Sequence, residues 1–389
     1  MKTIGRILKI ASRECGFFLK NPIYLFSMVL FPLLVIVFFT SVMGEGLPTE
    51  MPVGVVDLDN SSTSRGLIRK LDSFETSRVV GHYSGIDDAR KAMQRNEIYA
   101  FLYIPENMSG DLLAARQPKV SFYYSFTTLT SGSLLFRDLK TISMLGSAGV
   151  GSAKMRAQGY TSRQISTFLQ PITIDLHPIN NPWVNYNMYL SVMLIPGAML
   201  LFIFLISAYS IGTELKFDTS KEWMAAANGN IYVALAGKFL PQFLIFLTMM
   251  LGFEFYVFHV LHFTNAGSQW LLIALTVITI LASQAFGIFV FGLLPSLRMS
   301  MSVCSLWAVL SFTTVGAAFP LSAMDTPIQA LAQLFPLRHY YMIYQICILN
   351  GFPWTDAVVH FGALVVFIIM PFFVVHIIRK AMLEYVYIP

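Results

Sequence analysis

The distribution of apolar residues constrains this chain more than any other feature of its sequence. Apolar blocks of roughly 20 residues recur along the chain, and a helix of that length crosses the hydrocarbon core of a bilayer. Hydrophobic residues make up 56% of the chain and charged residues only 12%, unlike a soluble protein. We therefore predict a polytopic α-helical membrane protein with about six spans, near residues 23–43, 186–211, 236–262, 269–294, 299–320 and 357–378.

A polar stretch between the first two blocks, residues 44–182, carries 14 of the 26 Lys and Arg residues and most of the turn signals. Alternation and helical spacing of its apolar residues predict an inserted α/β domain. Its predicted elements are a strand at 53–58, a polar helix cap at 59–62, a helix near 86–95, strands near 98–104 and 119–124, and a mainly helical segment at 130–169 interrupted near 146–151. The three cysteines (Cys15, Cys304 and Cys347) lie outside this domain, so it is expected to fold without disulfides.

The start of this domain also has a pattern found in a class of enzymes. Haloacid-dehalogenase-like phosphatases follow an apolar strand with D-x-D, as Asp57-Leu58-Asp59 does, but they also need a distant acidic pair for magnesium. The pair Asp87-Asp88 lies only about 30 residues further on, at a predicted helix start. The sequence therefore favours helix capping over phosphatase chemistry, and we predict no catalytic residue and no metal site.

Basic residues flank the apolar blocks asymmetrically and predict the orientation. Arg379 and Lys380 follow the last span, and five basic residues precede the first: Lys2, Arg6, Lys9, Arg13 and Lys20. Both termini and the loop at 212–236 are expected to be cytoplasmic, which places the 44–182 domain outside a bacterial inner membrane. This asymmetry explains much of the net charge of +5, so no nucleic-acid partner is expected.

The N-terminal segment, residues 1–21, has the pattern of an amphipathic helix that lies in the membrane plane. At 100° per residue its five basic residues fall within a sector of roughly 60°, opposite Ile4, Ala11, Cys15 and Phe18. Asn21-Pro22 then ends the helix and starts the first span, expected over 22–43. The lipid bilayer itself is thus a predicted partner.

The loop at 212–236 contains signals for a short helix. Thr219 and Glu222 have the spacing of a capping box, and Asn228-Gly229 supplies a left-handed stop after about two turns. The helix carries Trp223 and Met224, which need an apolar partner. They are expected either to dip into the membrane interface or to dock into another protein.

This loop resembles that of ABC type-2 exporter permeases, in which acidic residues, Gly-Thr, a short coupling helix and Gly-Lys follow one another. Glu214, Thr219 and Gly237-Lys238 match that pattern, whereas Asp218 stands where the family has glycine. The resemblance extends over the whole chain, through VVDLDNSSTSRGL from Val55, YAFLYIP ending at Pro105, the pair Asn181-Pro182, and FPLSAMDTPIQALAQLFPLRHYY from Phe319.

The resemblance implies a half-transporter that forms a homodimer or a heterodimer with a paralogue and binds a separate ABC ATPase, which holds ATP and Mg. The residues implied in coupling to the ATPase are Glu214, Asp218, Thr219, Ser220, Glu222, Trp223, Met224 and Lys238. It also implies a re-entrant helix pair at 327–350, with Pro336, Arg338 and Tyr340. The chain lacks the P-loop pattern, since Tyr232 and Phe239 stand where it needs Gly and Ser or Thr, and it is therefore expected to bind no cofactor and to be no enzyme.

Polar residues within the predicted spans are candidates for a substrate path. Glu254, Gln242 and Gln284 interrupt apolar helices, and His259 and His262 follow Glu254 closely. Interhelical hydrogen bonding is the alternative explanation for each.

We therefore predict the permease subunit of an ABC exporter that moves a hydrophobic or amphipathic substrate out of the cytoplasm or the inner leaflet. The size of the external domain is compatible with a periplasmic adaptor and an outer-membrane channel as further partners. The alternative is a membrane-anchored sensor or assembly scaffold that binds its ligand through the external domain.

Overall fold

The computed structural model describes residues 2–44, 46–114, 116–172, 175, 177, 181 and 184–385. The chain divides into two compact units, one formed by residues 1–44 and 179–389 and the other by residues 45–178. Pro182, which ends both the predicted external domain and the Asn181-Pro182 pair, lies outside the described residues.

The chain is mainly helical. Its α-helices are, in chain order, α1 (Lys2–Lys20), α2 (Pro22–Leu25), α3 (Phe31–Val42), α4 (Ser62–Asp72), α5 (Ile86–Gln94), α6 (Met108–Leu113), α7 (Leu129–Ala157), α8 (Ser162–Leu169), α9 (Tyr186–Lys216), α10 (Ser220–Ala226), α11 (Ile231–Phe255), α12 (Gln269–Leu293), α13 (Leu297–Thr314), α14 (Thr326–Ala332), α15 (Pro336–Ile343), α16 (Val358–Ile369) and α17 (Pro371–Glu384). Its strands are β1 (Met51–Asp57), β2 (Ser77–His82), β3 (Ala100–Ile104) and β4 (Ser121–Tyr124). Turns of π-helix join α2 to α3 and extend α11 and α15, at Phe26–Leu30, Tyr256–Val260 and Tyr344–Leu349.

Five helical segments of the described residues are long and apolar enough to cross a membrane. They are Pro22–Val42, Tyr186–Lys216, Ile231–Val260, Gln269–Leu293 and Trp354–Glu384, and they correspond to five of the six predicted spans.

The remaining predicted span, 299–320, corresponds to α13, which is not among these segments. It has 18 residues, ends at Thr314, and is diluted by serine, threonine and Arg298 near its start. It nevertheless packs along α9, with Cys304 and Ala308 buried. The count of six spans remains a prediction.

Helix α9 is the centre of the first unit, since α3, α12 and α13 all pack against it. Its 31 residues extend about 46 Å at 1.5 Å per residue, against a hydrocarbon core of about 30 Å. One end must therefore extend beyond the hydrocarbon. The last turn of α9 carries Glu214 and Lys216, which makes it the polar end of the helix.

The predicted break in the 327–350 segment lies between α14 and α15. Pro336 is the first residue of α15, where its missing N–H costs no helical hydrogen bond. An Arg338 Nη1–H donates to the carbonyl of Val315, and the ring of Tyr340 is fully buried. These contacts hold α15 against the helices around it.

The second unit contains a four-stranded sheet together with helices. Its sheet has the order β2-β1-β3-β4, with β1 parallel to β2 and β3, and β3 antiparallel to β4. Ser61 caps α4 by accepting the Ser64 N–H at 3.0 Å, which confirms the predicted polar cap. The Asp57 carboxylate accepts the N–H groups of Asp59 and Asn60 and the hydroxyl of Ser64, so it has a structural role in the turn.

The predicted interruption near 146–151 is wrong, because α7 runs unbroken from Leu129 to Ala157. A side chain at Gly146 would approach Leu67 within 3.0 Å, and one at Gly151 would approach Leu169 within 2.9 Å. These glycines allow α4 and α8 to lie close to α7, and they do not break it. The chain turns instead at Gly159, whose φ of 85° suits glycine.

Candidate functional site

The segment between α9 and α11 is folded by two successive helix stops of the same type. At the end of α9, the Asp218 N–H bonds to the Leu215 carbonyl and the Thr219 N–H to the Glu214 carbonyl, with Asp218 left-handed at φ 54°. These two bonds form a Schellman motif, in which glycine is the favoured left-handed residue. The geometry explains why an ABC type-2 pattern has glycine where this chain has Asp218.

The end of α10 repeats this arrangement. Asn228 and Gly229 both have positive φ, which confirms the predicted left-handed stop, and their N–H groups bond to the carbonyls of Ala225 and Met224. The Asn230 side chain then caps α11 by accepting the N–H of Tyr232 at 3.0 Å. The segment is therefore an ordered connection with a fixed geometry.

The predicted capping box between Thr219 and Glu222 is wrong. Thr219 precedes α10, but its hydroxyl donates to Oε2 of Glu214 at 2.5 Å and makes no cap bond within α10. The Glu222 side chain is left exposed. The buried carboxylate of Glu214 competes successfully for the hydroxyl because its charge makes it the stronger acceptor.

The structure buries Trp223 and Met224 within the chain itself, a third possibility beside the membrane interface and a partner protein. Trp223 is 0% exposed and Met224 2% exposed within the chain itself. They belong to an apolar cluster with residues of α1, α9, α11, α12 and α17, among them Ile10, Ile211, Phe239, Phe291 and Ile378. The two side chains therefore bind α10 to its own unit and are not available to a partner.

Beside Trp223 lies a buried ion cluster, formed by Arg13 and Glu14 of α1, Glu214 of α9 and Lys238 of α11. Lys238 Nζ donates to Glu14 Oε2 at 2.8 Å and to Glu214 Oε1 at 2.7 Å. Arg13 holds both oxygens of Glu214, at 2.9 and 3.1 Å. The Lys238 ammonium also lies 4.9 Å from the centroid of the Trp223 ring, a cation–π contact.

The ion cluster contains two cations and two anions, so its formal charges balance. Glu14, Glu214 and Lys238 are each at most 3% exposed, so neither carboxylate is solvated and each depends on its partners. Burial raises the pKa of Glu14, the carboxylate of Glu214 adds to that shift, and Lys238 and Arg13 oppose it. The ion cluster fixes the relative position of α1, α9 and α11 where the connecting segment begins and ends.

Helix α1 crosses α11 at Gly237, next to Lys238. A Cβ at Gly237 would lie 2.7 Å from Ile10 Cβ and 3.0 Å from the Ile7 carbonyl oxygen. The side of α1 that faces this crossing contains Ile10, Glu14 and Phe18. Of the predicted apolar side, Ala11 and Phe18 are buried, while Ile4 and Cys15 are exposed. The buried face of α1 is therefore rotated relative to the predicted apolar face, because one edge of α1 packs against other helices of the protein.

We expect Gly237→Ala to destabilise the protein by about 1–3 kcal/mol, since the added methyl group overpacks the crossing of α1 and α11. This loss outweighs the gain of about 1 kcal/mol that alanine brings to a helix. The melting temperature of the purified chain in detergent measures the effect. Gly252→Ala is the matched control, because it lies in the same helix with no atom within 4 Å, and it should be neutral or stabilising. Equal melting temperatures for the two variants would contradict the close crossing.

The other side of α10 faces away from these helices. Lys221, Glu222 and Ala225 are exposed and share one face of α10, exposed Asn228 lies in the left-handed turn after the helix, and the exposed ring of Phe217 lies just before it. Of the residues predicted for coupling, the structure thus buries Glu214, Ser220, Trp223, Met224 and Lys238 and exposes Asp218 and Glu222. We call Phe217, Lys221, Glu222, Ala225 and Asn228 the outer face of α10.

The residues predicted for a substrate path do not form one group. Glu254 Oε1 is hydrogen-bonded to the hydroxyl of Thr276, whereas Gln284 donates to the carbonyl of Phe239 at 3.3 Å. Gln242 is fully buried, and its amide has no partner among the described residues. Twelve residues of α11 separate Gln242 from Glu254, about 18 Å along the helix. His259 is exposed and stacks on Phe255, so it does not contact Glu254.

Sequence reasoning missed the contribution of α1 to the ion cluster. The basic sector of α1 includes Arg13 only as one of its five basic residues, and the amphipathic pattern gives Glu14 no role. One feature of the sequence distinguishes Glu14. It is the only acidic residue of α1, and at helical spacing it lies outside the sector that contains the basic residues. Its partner Lys238 lies more than 200 residues away, and no local pattern could have identified it.

The chain was also compared with known protein families. Residues 22–376 match the family described as ABC-2 family transporter protein. A search of curated proteins gave no match. Because the matched region spans nearly the entire sequence, this chain belongs to the ABC-2 family of transporter proteins, the membrane permeases of ABC transporters.

Proposed function

We propose that this permease works in an exporter and that the outer face of α10 is the surface that binds the ATPase subunit. The observation that carries the proposal is the burial of the opposite face of α10. Trp223 and Met224 attach the helix to α1, α9, α11, α12 and α17, so a push on the outer face is transmitted to membrane helices. A short helix without such attachment would be marginally stable and would yield to the same push.

The composition of the outer face fits a protein partner. The ring of Phe217 is 62% exposed and is flanked by charged and polar side chains, as at the centre and rim of many interfaces. Lys221 and Glu222 offer one charge of each sign, which can fix the orientation of a partner. By the positive-inside rule, the proposal places this face and both termini in the cytoplasm, and unit 45–178 on the opposite side of the membrane.

The proposed substrate is hydrophobic or amphipathic. An apolar cavity of about 250 Å³ lies between α11, α12, α16 and α17, and among its lining residues are Phe239, Leu281, Ile368 and Phe372. Gln284, predicted for a substrate path, is one of its few polar lining residues. Such a lining suits an apolar group that enters from the bilayer. Stimulation of ATPase activity by candidate compounds in the reconstituted complex would test this proposal.

Ala225→Arg tests the docking surface. Arginine is a good helix former and Ala225 is exposed, so the fold should be retained while a large charged group occupies the centre of the outer face. We expect at least a tenfold loss of ATPase subunit co-purified from native membranes, equivalent to about 1.4 kcal/mol. The measurement is the ratio of ATPase to permease after affinity purification.

Ala323→Arg is the matched control, because it places the same side chain at an exposed alanine in the turn after α13. It should leave the ratio unchanged. An unchanged ratio in Ala225→Arg as well would reject this surface. Complete absence of an ATPase from preparations of the unaltered chain would contradict the proposal that a separate ATPase subunit binds this permease.

A further inference from the structure

Glu254 is a carboxyl group in an apolar part of the structure, remote from the ion cluster. It is 2% exposed and is surrounded by a large apolar cluster that includes Phe246, Met250, Phe253 and Val257. No ion pair with Glu254 occurs in the part of the chain that the structure describes. An unpaired carboxylate in such surroundings would be costly, so the neutral acid is the favoured form.

The hydrogen bonds of Thr276 indicate the same protonation state. Thr276 Oγ1 lies within hydrogen-bond distance of two oxygens, Oε1 of Glu254 at 2.5 Å and the Leu272 carbonyl oxygen at 3.0 Å. A hydroxyl has one proton, and a carbonyl oxygen can only accept. If the hydroxyl donates to Leu272, the bond to Oε1 requires a proton on Glu254. A protonated Glu254 therefore satisfies both contacts.

The second carboxyl oxygen faces a different set of groups. Oε2 of Glu254 and the hydroxyl groups of Tyr340 and Tyr344 are all buried, and among the described residues none of the three has a hydrogen-bond partner. Both tyrosines are 0% exposed, and their ring centroids are 5.8 Å apart. The ring of Tyr344 stacks on Phe258, about one helical turn after Glu254, with ring centroids 6.4 Å apart. Buried polar atoms without partners are rare, and here two donors and one acceptor are left over together.

Among the described residues, Tyr340 and Tyr344 are the buried titratable groups near Glu254, since Lys238 of α11 lies about 24 Å away along the helix and Tyr256 is half-buried. Thr276 on α12 does not titrate, and His259, on the π-helical extension of α11, is exposed and stacks on Phe255. Tyr340 lies in α15 and Tyr344 begins its π-helical extension. A movement of α15 that brings both hydroxyl groups within hydrogen-bond distance of the carboxyl group would let them donate to it, and those bonds would stabilise its ionised form.

We propose that Glu254 is a proton-binding site with two hydrogen-bonding states, and that its ionisation is coupled to the position of α15. In the first state the acid donates to Thr276 and the two tyrosine hydroxyl groups are unpaired, and the positions of the heavy atoms in this structure fit that state. In the second state the proton has passed to water, and the carboxylate accepts from Tyr340 and Tyr344. The ligand of the site is a proton, and the proposal holds whether or not α10 binds an ATPase.

Infrared spectroscopy of the purified full-length chain tests the site through the C=O stretch of a protonated carboxylic acid. At pH 7 the unaltered chain should show a band that shifts in D₂O and is lost in Glu254→Gln. The same band should remain in Glu222→Gln, which removes an exposed carboxyl group on α10. Absence of any band that depends on Glu254 would show an ionised carboxylate and overturn the proposal.

The double variant Tyr340→Phe, Tyr344→Phe tests the coupling to α15. Without the two donors the ionised form loses its stabilisation, so the band should persist to a pH at least about one unit higher than in the unaltered chain. An unchanged titration of the band would overturn the second state. If the double variant does not fold, Tyr344→Phe alone should give a smaller shift in the same direction, and no shift would again contradict the proposal.

Discussion

Lys238→Met should destabilise this permease by about 3–5 kcal/mol, the usual cost of removing one partner from a buried ion pair. The ammonium group of Lys238 donates to both Glu14 and Glu214, at 2.8 and 2.7 Å. Methionine retains most of the apolar stem but leaves two buried carboxylates with Arg13 as their remaining cation. Loss of the cation–π contact with Trp223 adds to the cost. Thermal unfolding in detergent, followed by tryptophan fluorescence, measures the change.

Two further variants separate charge balance from loss of the side chain. Adding Glu14→Gln to Lys238→Met leaves one cation and one anion, Arg13 with Glu214, and should recover a large part of the lost stability. Lys380→Met is the exposed control, since its ion pair with Glu384 is 3.9 Å long and more than half exposed on both sides. It should change stability by less than about 0.5 kcal/mol. Equal effects of Lys238→Met and Lys380→Met would contradict a buried ion cluster.

The membrane architecture was largely predictable from the sequence, because lipid imposes one simple requirement on a spanning segment. Five predicted spans correspond to helices that meet it, and the boundaries of the 269–294 and 23–43 blocks agree with the structure within one residue. Segment ends were less predictable where helices continue past the hydrocarbon. Helix α9 extends to Lys216 because Glu214, near its end, is paired with Lys238 and Arg13 instead of with water.

The identity of several residues in the candidate site was predictable from the sequence, but their contacts were not. The resemblance to ABC type-2 exporter permeases indicated Glu214, Thr219, Gly237 and Lys238, but it gave no physical reason for them. The structure supplies a physical reason for the last two. Gly237 allows α1 to approach, and Lys238 neutralises carboxylates from two other helices. These reasons involve contacts between distant parts of the chain, and single-helix periodicity contains no information about such contacts.

The same limit applies to Trp223 of α10. A short amphipathic helix that carries tryptophan can bury the ring against a partner, a bilayer or its own chain, and the sequence of the helix is identical in all three cases. The choice depends on Ile10, Phe291 and Ile378, which lie on three other helices. Their combined apolar surface covers Trp223, so the surface available to a partner is the opposite side of α10.

Trp223→Ala should therefore act on folding and not on docking. Truncation of a fully buried tryptophan leaves a large cavity and typically costs about 3–5 kcal/mol. Here it also removes the ring beneath the Lys238 ammonium. We expect a marked fall in melting temperature and in the yield of monodisperse protein, with loss of the ATPase subunit as a consequence. Ala225→Arg, on the outer face, should lose the ATPase at an unchanged melting temperature.

Trp223→Phe refines this comparison. The indole N–H of Trp223 has no hydrogen-bond partner in the described part of the chain, so phenylalanine sacrifices ring volume but no hydrogen bond. Phenylalanine keeps an aromatic face for Lys238. The loss in the free energy of unfolding should therefore be well under half of the loss in Trp223→Ala. If Trp223→Ala instead retained a normal melting temperature while losing the ATPase, the ring would have to contact the partner directly, and the outer face would lose its assignment as the docking surface. The pair of measurements, stability and subunit ratio on the same preparations, decides between the two faces of α10.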